Sequence, residues 1–314
     1  MRTDFNDARQ ALGFLTPQLY NIERQVYEIR YPSFDYASLV PVITEGNPWG
    51  RGTVFYTADA AGEAQFLSGK GFDGPYADIA RSQYLKRFEL AGTGYEWTLE
   101  ELETAAIEGR DLGADKAAAA RKIAEQFLFY IAMNGRTPQQ QQSSEKNWTG
   151  LLNDPNVTAV TAAGAFTART PDQILAEINN ALSAVHTSTQ EIETADTVLL
   201  PFAAYQYVAT TPRATGSDKT ILSFLQENNV YSSETGQPLT IRSQRLLTNA
   251  GAGSATRMVV YNRNPDVVRF HLPMPFQFKP AFQKSSMTWE VLGLFRTGGT
   301  EVRRPAAMRY VDGV

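Results

Sequence analysis

The chain has few residues able to do chemistry, and their spacing argues against most reactions. His186 and His271 are its only histidines, and it contains no cysteine. That one absence excludes a thiolate zinc site, a cysteine nucleophile and a disulfide framework. The two histidines fall in segments of different type, so a histidine metal centre would need carboxylates to complete it; each reads as a structural histidine. Glu100, Glu101, Glu103 and Glu108 have the density of a general acid–base pair. On a helix, however, they are expected on a solvated side opposite Leu99, Leu102 and Ala106. Gly216-Ser217-Asp218-Lys219-Thr220 ends like a phosphate loop, but it lacks the earlier glycine and puts an acid where the cradle should be. It reads as a helix N-terminus. Serines occur without a Gly-x-Ser-x-Gly elbow. No catalytic, cofactor-binding or metal-ligating residue is assigned, and no enzymatic activity or cofactor is expected.

Composition narrows the partners. Twenty-nine Lys and Arg against 33 Asp and Glu leave a net charge of −4, too little basic excess for tight, sequence-independent neutralisation of a phosphate backbone. The aromatic residues are not interleaved with basic ones as in single-strand binders. With 43% hydrophobic residues the chain can bury a large core. No run of eighteen apolar residues marks a membrane span, and the polar start Met1 to Asp7 does not resemble a secretory signal, so a cytosolic origin is expected.

The elements behind these residues begin with residues 1–47. Leu12, Leu15, Leu19, Ile22 and Val26 are spaced for a short amphipathic helix that Pro17 must start or break, followed by several tyrosines. The stretch is too small to be a domain and reads as an arm packing on something else. Gly52–Thr57 and Ile79–Leu90 read as strands of an extended hairpin around a glycine-bearing excursion. An isolated hairpin is marginal in water, so this one needs a partner surface. Thr98 and Glu101 form a capping-box pattern. A long helix from about Ala114 to Asn134, ended by Gly135, carries Ala117, Ala120, Ala124, Phe127, Leu128 and Ile131 at helical spacing. It would be roughly 30 Å long, a structural spine. Thr170 and Pro171 open a second helix with Ile174, Leu175, Ile178, Ala181, Leu182 and Val185 on one face. Asp196–Leu200 reads as a strand, Phe202–Val208 as a helix, and Ser217 or Asp218 to Asn228 as another. Strands are then expected at Leu239–Leu247, Met258–Tyr261, Val267–Leu272, Thr288–Phe295 and Glu301–Tyr310, with a flexible turn at Ala250–Ser254. The class is α+β.

Taken in order, arm, hairpin, spine helix and strand-rich C-terminal part resemble the major capsid protein of tailed bacteriophages, the Hong Kong-type shell fold also used by encapsulins. The resemblance is carried by Tyr95-Glu96-Trp97-Thr98 leading into Glu100-Glu101-Leu102, the spine from Gly109 to Gly135, and Gly150-Leu151-Leu152-Asn153. Val198-Leu199-Leu200-Pro201, and Gly298-Gly299 before Val302-Arg303-Arg304-Pro305, complete it.

The resemblance implies an N-terminal arm (1–47), an extended loop (48–94), a peripheral domain (95–194, completed by 285–314) and an axial α/β domain (195–284). It implies self-assembly through pentamers and hexamers into an icosahedral procapsid and then a head enclosing double-stranded DNA without sequence-specific binding. Such a protein would be assembled in the host cytoplasm and located in the virion capsid, with scaffolding, portal and decoration proteins as partners and no membrane association. The short arm leaves scaffolding to another protein or to a segment already removed. At the loop tip Gln65, Phe66, Leu67, Lys70 and Phe72 are candidate intersubunit contacts; Lys70 has no identifiable crosslinking partner. An encapsulin-type bacterial compartment is the alternative, and a hydrolase using paired carboxylates a remote one.

Overall fold

The computed structural model describes residues 34–61, 78–108, 112–136, 148–214, 216 and 218–314. The helix expected within 1–47 and the loop-tip residues Gln65, Phe66, Leu67, Lys70 and Phe72 lie outside them. The elements below all belong to the unit Asp35–Val314.

The chain begins with the short strand β1 (Val42–Ile43), the two hairpin strands β2 (Gly52–Ala61) and β3 (Asp78–Arg87), and β4 (Glu89–Thr98). Helices α1 (Leu99–Glu108) and α2 (Leu112–Asn134) follow, then β5 (Ala159–Thr161), α3 (Pro171–Ser188), β6 (Thr197–Leu200), α4 (Phe202–Thr210), α5 (Ile221–Glu227) and α6 (Val230–Thr235). The rest is strand-rich: β7 (Thr240–Ser243), β8 (Arg257–Tyr261), β9 (Val268–His271), β10 (Met274–Phe278), β11 (Phe282–Ser285), β12 (Thr288–Thr297), β13 (Gly299–Val302) and β14 (Met308–Asp312).

Three sheets organise the body. A five-stranded sheet runs β5-β14-β8-β6-β7, a second is centred on β12, and a third runs β1-β9-β13; β2 and β3 pair with each other alone. Along one edge of β12 lies β4, in register over all ten residues from Thr98↔Thr288 to Glu89↔Thr297, and along the other lie β10 and β11. The six apolar positions read from the sequence of α3 are all buried, and they pack with β6, β8, β14, α4 and α5 in one core. Packing of α3 therefore crosses position 194/195, and strand pairing crosses 284/285. α3 and β14 join the elements of 195–261, whereas β10 and β11 pair with β12. The packing of α3 and β14 on 195–261 joins distant segments and leaves no local mark in sequence, whereas β11 and β12 are a tight hairpin turning at Ser286-Met287.

In α2, Leu128, Ile131, Ala120 and Ala124 are buried as expected, together with Phe129, Ala132 and Met133. Phe127 is only half-buried, edge-on to Phe295 at 5.7 Å between ring centroids. The apolar face turns further toward 128, 131 and 132 than the alanine-led pattern indicates. Gly135, at φ +70°, closes the helix by donating its N–H to Ile131 O (3.0 Å). The remaining terminal carbonyls explain the Gly150–Asn153 run. Leu151 N–H reaches Ala132 O (3.0 Å), Leu152 N–H reaches Met133 O (2.9 Å), and Asn153 Nδ2 donates to Asn134 O (2.9 Å). Approach is close enough that a Cβ at position 150 would lie 2.1 Å from Met133 O.

Several boundaries differ from expectation. The stretch Ile79–Leu90 is two strands, because Phe88 turns inward onto the His271 ring (5.7 Å) and the chain changes partner there from β2 to β12. The helix placed at Ser217 starts at Ile221, where Thr220 Oγ1 caps Ser223 N–H (3.3 Å). Leu239–Leu247 keeps only four strand residues before a 3₁₀ turn at Arg245–Asn249, and Glu301–Tyr310 is broken by another at Pro305–Ala307. The Ala250–Ser254 turn is pinned, with Ala252 N–H on Asp312 Oδ2 (3.1 Å).

Candidate assembly interface

The hairpin is the least self-sufficient part of the described chain. Ten residues of β2 pair with ten of β3, from Gly52↔Arg87 to Ala61↔Asp78, and among the described strands neither has another partner. Side chains directly opposite each other share a face. Val54↔Leu85, Tyr56↔Gln83 and Ala60↔Ile79 therefore place Val54, Tyr56, Ile79 and Leu85 on one side. All four are exposed, Tyr56 to 68% and Ile79 and Leu85 to 57% each. Scattered exposed hydrophobics are ordinary, whereas an apolar stripe along a two-stranded ribbon makes it a candidate interaction surface.

The opposite face ties the hairpin root to the body. Phe55 stacks on Tyr84 (5.2 Å) and lies under the guanidinium of Arg303 (4.4 Å). Lys86 donates from Nζ to Thr300 O (2.9 Å), and burial lowers the pKa of its ammonium against the pull of the Glu301 and Asp154 charges. Arg303 Nε also donates to Glu301 (3.1 Å), which accepts from His271 Nε2 at 2.8 Å. Burial pushes the Glu301 carboxyl up. The hydrogen bond and charge of His271, with Arg303, outweigh that and hold it below the ordinary carboxylate range. Phe88 completes the anchor; a Cβ at position 298 would lie 2.7 Å from its ring, so Gly298 is the space Phe88 occupies. The root is thus held at its angle by buried charge and packing, while the strands project their apolar stripe outward.

His271 is accordingly a buried, hydrogen-bonded residue within this anchor. His186 sits half-buried near Thr194 and Glu234, 3.5 Å from each. Glu100 and Glu103 are exposed as expected, but so are Leu99 and Leu102, and among the described side chains of α1 the buried one is Ala105. Glu101 does not face solvent unpaired; its carboxylate accepts from Thr98 N–H (3.1 Å) and from Lys116 Nζ (3.0 Å), and its own N–H donates to Thr98 Oγ1 (3.3 Å). Among the described residues no group of three His, Asp or Glu is arranged to hold a metal ion, and no helix is long and apolar enough to cross a membrane. The Glu301–Arg303 anchor has no local signature in the sequence, where Val302-Arg303-Arg304-Pro305 serves only the family resemblance.

Solved structures share this arrangement. The capsid of Myoviridae phage XM1 superposes with a TM-score of 0.81 at 16% identity, over 96% of this chain and 98% of that one. The Mycobacterium phage Ogopogo structure gives 0.60 at 12% identity, over 95% and 98%. A virus-like particle from Pyrococcus furiosus gives 0.50 at 12% identity, over 98% of both chains. At these identities the likeness is one of fold. Comparison with curated proteins finds no match. Residues 62–314, the greater part of the sequence, match the family model described as Major capsid protein, and on that match the chain belongs to the major capsid protein family.

Proposed function

We propose that the chain is the structural subunit of a tailed-phage head, building a closed icosahedral shell around double-stranded DNA through contacts between copies of itself. The observation that carries this reading is the hairpin, which projects an exposed apolar stripe from a rigid root and has no partner strand among the described residues beyond itself. A surface of that kind gains its burial only when copies associate, and closed symmetric association supplies it to every copy at once. The loop-tip residues Gln65, Phe66, Leu67, Lys70 and Phe72 would extend the same contact over a neighbour. The unit around the five-stranded sheet would gather at the five-fold and six-fold axes, and the β12 sheet with α2 would form the periphery.

The acidic balance suits a container that holds DNA without gripping its phosphates. Assembly in the host cytoplasm, with scaffolding, portal and decoration proteins as partners, completes the reading. Sedimentation velocity of the purified chain, alone and with a co-expressed scaffolding protein, tests it. Rings of five or six subunits or larger closed particles are expected; a monomer at every concentration, with scaffold present, would overturn the proposal.

A further inference from the structure

A cleft of about 810 Å³ opens beside the hairpin root, where β3 passes into β4. Arg51, Arg87 and Arg296 line it, and Leu85 and Leu90 supply exposed apolar surface. Arg296 Nε is buried without a hydrogen-bond partner. Glu89, the acidic residue of the wall, is paired with Arg136 at 2.5 Å. The cleft is therefore cationic and greasy at once.

The complementary surface is α1. At 100° per residue, Leu102, Leu99, Glu103, Ile107 and Glu100 fall in that order along an arc of about 160°. All five are exposed, Ile107 to 87%, whereas Ala105 and the engaged Glu101 lie on the other side. Two carboxylates and three apolar side chains thus share one unpartnered face. That face cannot reach the cleft of its own chain. Leu90 stands at the start of β4 and α1 begins after its last residue, so the extended strand holds the two about 30 Å apart.

We infer that α1 of one copy docks into the hairpin-root cleft of another, the acidic–apolar arc against the arginines and leucines. The contact rests on the shell reading above. It joins two different patches, so it is heterologous, and repetition with a fixed rotation closes a ring. The apolar side chains provide burial, and the Arg–Glu pairing fixes partner and register.

The chain has no cysteine, so introduced thiols are its only ones. Leu90→Cys and Ile107→Cys, both at exposed positions, are combined in one chain and treated with a short bismaleimide after assembly. A ladder of covalently joined copies in the double variant, absent from either single variant, is the expected result. Particles that form normally but give no ladder would overturn the docking and leave the shell reading standing; failure of the unmodified protein to assemble would overturn both. Charge reversal gives a second test. Arg51→Glu and Glu103→Arg should each raise the concentration needed for assembly, and the two together should restore it. Equal assembly by all three variants would contradict the inference.

Discussion

Replacing Ile79 and Leu85 by serine removes the two most exposed aliphatic side chains of the hairpin stripe and leaves the anchoring side chains Phe55, Lys86 and Phe88 in place. Each is 57% exposed in the free subunit, so rather less than half of its burial is already realised there, and the subunit should lose about 0.5–1.3 kcal/mol per substitution in urea unfolding. Association is different. Full burial of such a side chain contributes about 1.5–3 kcal/mol, and rather more than half of it is still available for burial here, about 1–1.5 kcal/mol each. Together the two substitutions should weaken every hairpin contact by about 2–3 kcal/mol, roughly a 30- to 150-fold loss of subunit affinity. Light scattering across a concentration series, with urea unfolding of the unassembled subunit beside it, measures both quantities. An unchanged assembly threshold would show that the stripe faces solvent in the particle, and a large drop in subunit stability would show that it packs on the subunit's own body.

Other expectations concern the fold that presents the hairpin. Arg257 forms a bidentate pair with Asp312 (2.6 and 2.9 Å), donates to Leu152 O (2.7 Å) and covers the Tyr310 ring at 4.4 Å. Arg257→Met should cost about 3–5 kcal/mol by stranding Asp312, and adding Asp312→Leu should recover part of that in thermal unfolding. Leu128→Ala should cost about 2–5 kcal/mol and half-buried Phe127→Ala distinctly less, an order that denaturant titration checks. Glu301 has a folded-state pKa below its unfolded one. Its contribution is therefore complete above the unfolded value, about 4.3, and disappears as pH falls through the depressed folded one. Glu301→Gln should lower stability at neutral pH and flatten the acid limb of the stability–pH curve.

Legibility in the sequence followed the range of the interactions. The α3 face, the Thr98–Glu101 capping box and the Gly135 stop were readable because their partners lie within a turn or two. The hairpin, too, was visible as strands needing a partner. The break at Phe88 was not, since it depends on His271 and Gly298, far along the chain. Nor was the packing of α3 and β14 on the elements of 195–261; β10 and β11 also went unread, although β11 turns into β12 over only two residues. The half-burial of Phe127 arose because an alanine-rich helix offers several nearly equivalent apolar arcs, and Phe295 and the β12 sheet select among them. The anchor of Glu301, His271 and Arg303 had no local signature, although a charged residue alternating with Thr300 and Val302 in a strand was a hint of a buried, paired acid.

Electron microscopy of the purified, assembled protein tests the central claim most directly. The account predicts closed icosahedral particles in which density for Gly52–Arg87 of each subunit lies against a neighbouring copy. Particles in which the hairpin folds back on its own subunit, or a preparation containing only dispersed monomers, would contradict it.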